Sequence, residues 1–173
     1  MLIELSSLEK NEGKFSHVYE PGELVLNDQQ VRLLEPPRVR GQIVKEGREV
    51  RVEGEISTVI EVECDRCLKS IQLPLDGEFD LKYLPGQEYR ALKTAELTED
   101  DLSLSVFDGE IIDIDEIVRE EILLAVPAHP LCEENCKGIC PSCGADRNMI
   151  DCGCEPVAID PRWASLKGLV NGK

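Results

Sequence analysis

The stretch Cys132-Glu-Glu-Asn-Cys136-Lys-Gly-Ile-Cys140-Pro-Ser-Cys143-Gly-Ala-Asp-Arg-Asn-Met-Ile-Asp-Cys152-Gly-Cys154 holds six of the chain's eight cysteines. Cys64 and Cys67 form a second Cys-x-x-Cys far upstream. Eight thiols are what two tetrahedral sites of four thiolates require. Cysteines two residues apart present both sulfurs to one ion from a single tight turn. In Cys140-Pro141-Ser142-Cys143-Gly144, proline favours the start of the turn, and glycine lets the chain double back so that backbone N–H groups can donate to sulfur. Gly153, between Cys152 and Cys154, eases the bend that turns both thiols toward one ion. The expected cofactor is therefore structural Zn²⁺, one ion or two.

The spacing groups Cys140, Cys143, Cys152 and Cys154 at one site and Cys64, Cys67, Cys132 and Cys136 at the other, which would staple the upstream chain to the downstream module. Two alternatives stay open at this point: interleaved sets, such as Cys64 and Cys67 with Cys140 and Cys143, and one zinc with surplus thiols. Four cysteines also suit an iron–sulfur cluster, but paired turns carrying Pro and Gly lean to zinc. A catalytic ion keeps an open position, usually with His or carboxylate ligands and a nearby base. The chain has only His17 and His129 and no His-Glu-x-x-His, so no enzyme is expected. His129 reads as a surface residue rather than a ligand.

These thiols must be positioned by something rigid. Over the first ~85 residues the pattern alternates with period two, which is the strand signature. Phe15–Tyr19, Arg38–Val44, Glu49–Ile56, Thr58–Glu63, Ile71–Leu75 and Glu78–Leu84 read as strands. Gly47 supplies the φ > 0 position of a hairpin, and Cys64 and Cys67 fall at the turn between Glu63 and Ile71. Residues 85–101 read as a long polar loop, and Asp108-Gly109 reads as a second tight hairpin. Asp113 is an N-cap with Glu116 completing a capping box, opening a helix over 113–126 that Pro127 closes. Asp160-Pro161 opens a last short helix carrying Trp163, Leu166 and Leu169. The expected class is α+β: an N-terminal antiparallel β-rich sheet or partial barrel with one packed helix (residues 1–126), then a small zinc-binding module (residues 127–173).

Charge narrows the partners. The formal net charge is -16, and residues 76–121 hold fifteen acidic side chains against four basic. General attraction to phosphate backbones is disfavoured by that balance. The start of the chain shows neither a basic leader nor a signal-length apolar run, and no stretch approaches the ~20 apolar residues of a membrane span. A cytoplasmic location is expected, and a reducing compartment favours metal over disulfides.

Cys64-Asp-Arg-Cys67-Leu68, Cys136-Lys-Gly-Ile-Cys140-Pro-Ser-Cys143-Gly, Cys152-Gly-Cys154 and Asp160-Pro-Arg-Trp-Ala together resemble the YceD family, the large ribosomal RNA subunit accumulation proteins. The resemblance implies a non-enzymatic, metal-binding factor for synthesis, processing or stability of large-subunit ribosomal RNA. Its partner would be that RNA or a large-subunit ribosomal protein, with no small-molecule substrate and no membrane. If RNA is contacted directly, clustered cations must meet phosphate, and the candidates are Arg38, Arg40, Lys45, Arg48, Arg51, Arg66, Lys137 and Arg147. The alternative is an adaptor whose acidic segment attracts a basic protein, opposite charge speeding the encounter.

Overall fold

A computed structural model of the chain describes residues 1–8, 10–86, 104–107, 110–154 and 162. Alternating apolar residues in the first half extend the backbone into β1 (Leu2–Glu4), β2 (Glu12–Val18), β3 (Arg32–Leu33), β4 (Arg38–Glu46), β5 (Glu49–Glu63) and β6 (Ser70–Pro85). After them come β7 (Leu104–Phe107), β8 (Ile111–Asp113) and one helix, α1 (Ile114–Ala125). The described chain is mostly β-sheet with this one helix, the α+β class expected.

The main sheet runs in the order β2-β4-β5-β6-β7, with β3 pairing β5 beyond the end of β4. Its axis is the β5–β6 ribbon, in register from Val50↔Tyr83 to Glu63↔Ser70. At about 3.3 Å per residue, the fifteen residues of β5 reach roughly 50 Å. That ribbon carries the Cys64–Lys69 turn out to its tip.

One face is the core. Val39, Ile43, Val50, Val52, Ile56, Ile60 and Val62 alternate inward, and Ile114, Ile117, Val118 and Ile122 of α1 are buried in the same cluster. A row across this face reads Phe15–Gly41–Gly54–Phe79. A Cβ on Gly54 would sit 2.5 Å from Phe79 Cζ and 2.7 Å from the Arg40 carbonyl oxygen, and one on Gly41 would sit 2.6 Å from Phe15 Cζ. The two rings lie where the glycines leave room, which covers otherwise bare backbone. Asp113 caps α1 as expected, its carboxylate accepting from the Asp115 N–H at 2.9 Å. Buried Tyr19 fastens the same turn, donating its hydroxyl to Asp115 at 2.7 Å.

Several expectations need correcting. Thr58–Glu63 and Ile71–Leu75 are not separate strands: Ser57 pairs with Asp76 and Ile56 with Gly77, so the ladder continues unbroken through both. Pro85 belongs to β6 and pairs in parallel with Phe107. Asp108-Gly109, expected as a tight hairpin, lies outside the described residues; the strands on either side of it pair elsewhere, β7 with β6 and β8 with β1 in a different sheet. The rest of the 85–101 loop beyond Gly86, and the expected terminal helix with Trp163, Leu166 and Leu169, lie outside the described residues. The Gly47 turn is as expected, with φ 65° between Glu46 and Glu49, which pair.

Two candidate metal centres

At the ribbon tip, Cys64 and Cys67 sit in a turn closed by two backbone bonds: Leu68 N–H to Cys64 O and Cys64 N–H to Lys69 O, both 2.9 Å. Leu68 takes φ 59°, in the left-handed region. The second paired turn repeats the design with the residue suited to it. Gly144 N–H donates to Cys140 O at 2.8 Å, and Gly144 takes φ 73°. Left-handed backbone costs a side-chain-bearing residue roughly 1–2 kcal/mol, and glycine avoids that at an entropic cost of roughly 0.5–1 kcal/mol. Leu68 is 57% exposed, so it recovers little by burial. Leu68→Gly is expected to stabilise the protein by up to about 1 kcal/mol, raising the melting temperature of metal-loaded protein by about 2–4 °C. A fall in melting temperature would show that Leu68 holds the turn through contacts of its own.

After α1 the chain returns to this tip. Asp65 N–H donates to Pro130 O at 2.9 Å, and His129 Nδ1 lies 2.8 Å from an Asp65 carboxylate oxygen. Arg66 reaches over to the same segment, its guanidinium donating to Cys136 O at 2.9 Å, while its own carbonyl accepts from Ile139 N–H. Cys132 and Cys136 thereby face Cys64 and Cys67. The thiols form two quartets, Cys64, Cys67, Cys132 and Cys136, and Cys140, Cys143, Cys152 and Cys154, the sulfurs of each lying within 4.8 Å of one another. This is the grouping expected from spacing, and interleaved sets do not describe it.

The spacing of the sulfurs tests the fit to an ion. A tetrahedron with metal–sulfur bonds of about 2.3 Å has sulfur–sulfur edges of about 3.8 Å. Cys64 and Cys136 are 3.9 Å apart and Cys67 and Cys132 3.6 Å, close to that edge and far from a disulfide bond of about 2 Å. The donor set, soft and complete at four, suits zinc.

Electrostatics point the same way. Burial raises the Cys64 thiol, but backbone N–H groups of Cys132, Cys67 and Arg66 donate to its sulfur and bring it down to about 6. In the other quartet, N–H groups of Cys143 and Ser142 lower Cys140 to about 6. The last thiol of each set resists. Cys132 is pushed up to about 12, by burial and then by the sulfurs beside it. Cys154 also rises to about 12, chiefly through Cys143, Cys152 and Cys140. Four thiolates so close repel one another, and a divalent cation removes that repulsion.

The structure adds a residue with no obvious signal in the sequence. Asn148 donates its amide to Cys136 Sγ at 3.3 Å and accepts from Lys137 N–H at 2.7 Å. It sits between Cys143 and Cys152, so one side chain couples the second loop to the first quartet. Partners of this kind are worth 10–100-fold in metal affinity. Asn148→Ala is expected to weaken the first centre by about tenfold in a competitive chelator titration while leaving the second within a factor of two or three. Equal loss at both centres would contradict the coupling.

Three of the eight candidate RNA-contacting cations, Arg40, Arg51 and Arg66, are engaged by named partners within the protein. Arg40 pairs with Glu55 at 2.5 Å, and Arg51 bonds both oxygens of Asp80 at 2.8 and 2.6 Å and meets Glu53 at 2.8 Å. Arg66 is the strap already described. Arg38 lies exposed on the same outer face as Arg40 and Arg51, Lys45 is half-buried next to the Gly47 turn, and Arg48 lies in that turn. Lys137 and Arg147 are exposed on either side of the Ile139↔Asp146 bridge, Arg147 N–H donating to Gly138 O. The structure does not bring the eight together into one basic surface. Among the described residues, no helix is long and apolar enough to cross a membrane.

Comparison with known proteins adds a family. The profile described as "Large ribosomal RNA subunit accumulation protein YceD" matches residues 52–170. The chain is 29% identical to the uncharacterized protein YlbN of Bacillus subtilis, covering 98% of this chain and 94% of that one. It is 34% identical to an uncharacterized protein of Mycobacterium tuberculosis over 74% of this chain, spanning only 58% of the relative. An Arabidopsis thaliana protein, "Large ribosomal RNA subunit accumulation protein YCED homolog 1, chloroplastic", is 26% identical over 78% of this chain and 48% of its own. No solved structure matches.

Proposed function

Because the chain belongs to the YceD family of large ribosomal RNA subunit accumulation proteins, we propose that it promotes accumulation of large-subunit ribosomal RNA as a zinc-stapled, non-enzymatic adaptor for a basic protein of the assembling subunit. The observation that carries the adaptor over direct RNA contact is the outer face of the sheet. There Arg40 and Arg51 already face the carboxylates of Glu55, Asp80 and Glu53, so a phosphate would have to compete with those groups for them. Zinc, when bound, would close each quartet with four thiolates and cross-link distant parts of the chain. With four sulfurs available, neither centre needs water to complete its coordination, which supports a structural role. The histidines are occupied elsewhere, His17 with Glu23 and His129 with Asp65.

The test is recovery of tagged full-length protein from cells, with nuclease digestion at rising salt. An adaptor keeps a basic ribosomal protein after the RNA is gone. Loss of every partner on digestion, with RNA cross-links at Arg38, Lys137 or Arg147, would instead establish direct RNA binding.

A further inference from the structure

We infer that the edge of β6 from Ser70 to Leu81, unpaired among the described residues, receives an extended basic segment of the partner protein as one more strand; this rests on the adaptor reading and says where that partner docks. β5 pairs with β6 along its whole length, but among the described residues β7 covers the other side only from Lys82 to Pro85. Among the described residues no strand pairs with the rest of that edge, whose alternate carbonyl and N–H groups face away from β5, and Pro74 within it has no proton to donate. Such an edge recognises a chain through main-chain hydrogen bonds and selects it through the side chains on its two faces.

Those two faces differ in chemistry. Ile71, Leu73, Leu75, Phe79 and Leu81 point to the apolar side, partly or fully buried, while Gln72, Asp76 and Glu78 stand exposed on the other. On the polar face Glu55 is paired with Arg40, and both Glu53 and Asp80 with Arg51. Asp76 and Glu78, at the rim, have no ion-pair partner among the described residues.

On the apolar side, Gly77 leaves a gap between Leu75 and Phe79. A cavity of about 190 Å³ opens there, walled by these residues and by Glu121, Leu124 and Ala125 of α1. Leu124 is 77% exposed above it. An incoming strand would thus place apolar side chains against Leu124 and in the cavity, and cations over Asp76 and Glu78. A second copy of this chain fits badly, since antiparallel pairing of two β6 edges would set these carboxylates against each other. A phosphate backbone is repelled for the same reason.

The probe is a twelve-residue peptide alternating valine and lysine, added to full-length, metal-loaded protein. A peptide of the same composition with valines and lysines in separate blocks serves as control. Hydrogen exchange is expected to show new protection at amides between Ser70 and Leu81, and the alternating peptide should bind at least tenfold tighter than the control. Because Asp76 and Glu78 are exposed, the double variant D76K/E78K should fold normally and bind about tenfold more weakly. Equal affinity for both peptides, protection elsewhere, no effect of charge reversal, or a dimer that buries this edge would each overturn the assignment. In cells the two readings separate. If the wild-type chain retains a basic protein after nuclease and D76K/E78K does not release it, the edge is wrong and the adaptor stands; if nothing is retained, the adaptor itself fails.

Discussion

Chelating the metal from purified protein is expected to unfold the chain from about Pro130 to Cys154 while the sheet and α1 remain. Within that segment only Cys136, Gly138 and Cys140 are buried, Cys136 clustering with Cys64 and Cys67 of the ribbon tip and with Leu131 and Cys132 packed against them. Apart from its cysteines, the segment's larger apolar side chains are largely solvent-facing: Ile139, Met149 and Ile150 are all exposed. At about 25 cal/mol per Å², so little apolar burial cannot offset roughly 1–2 kcal/mol of backbone entropy per ordered residue. A structural zinc contributes ~10–16 kcal/mol of apparent binding in small peptides, as much as holds a whole domain together. Elemental analysis should find two zinc ions per chain before chelation. Afterwards hydrogen exchange should lose protection in residues 130–154 and keep it in β2, β4, β5 and β6. Acid should do the same without chelator: protons compete with the ion for each thiolate, so affinity falls as pH falls. A metal-free protein whose residues 130–154 stay protected would refute the zinc staple.

How much of this was legible depended on how local the cause was. The paired turns, the cap at Asp113 and the φ > 0 glycine at Gly47 are decided within a few residues, and they were readable. The grouping of the thiols was favoured by spacing, since Cys140 to Cys154 is short enough to close on one ion, but interleaved sets stayed open until the ribbon tip was seen beside Cys132 and Cys136. The long strands were not readable. Asp76-Gly77 looks like a break until Ser57 and Ile56 are seen opposite it, and β8 pairs with β1, more than a hundred residues away in sequence. The engagement of Arg40 and Arg51 was hidden for the same reason, since their carboxylates come from neighbouring strands. Leu68 could have been found: it occupies the place in Cys64-Asp-Arg-Cys67-Leu68 that Gly144 fills in Cys140-Pro-Ser-Cys143-Gly144.

Cys136→Ser and Cys154→Ser each remove one ligand from one quartet, yet the first is expected to be far more damaging. The first centre joins residues remote in the chain: Cys67 and Cys132 are 65 positions apart. Closing a loop of that size restricts the unfolded chain by about 4 kcal/mol in the chain-entropy account. Cys136 is also buried, and it lies in the segment held by Arg66 and by the Asn148 amide, so losing its sulfur frees the ribbon tip together with everything downstream. Cys154 is exposed and closes only a local loop. At about 2–4 °C per kcal/mol, Cys136→Ser should lower the melting temperature by roughly 8–16 °C and expose residues 64–69 to hydrogen exchange. Cys154→Ser should cost a few degrees and leave the tip protected, although each variant loses one zinc per chain. Equal melting temperatures for the two variants would mean that the first centre does not tie the sheet to the downstream chain, and the staple would have to be placed elsewhere.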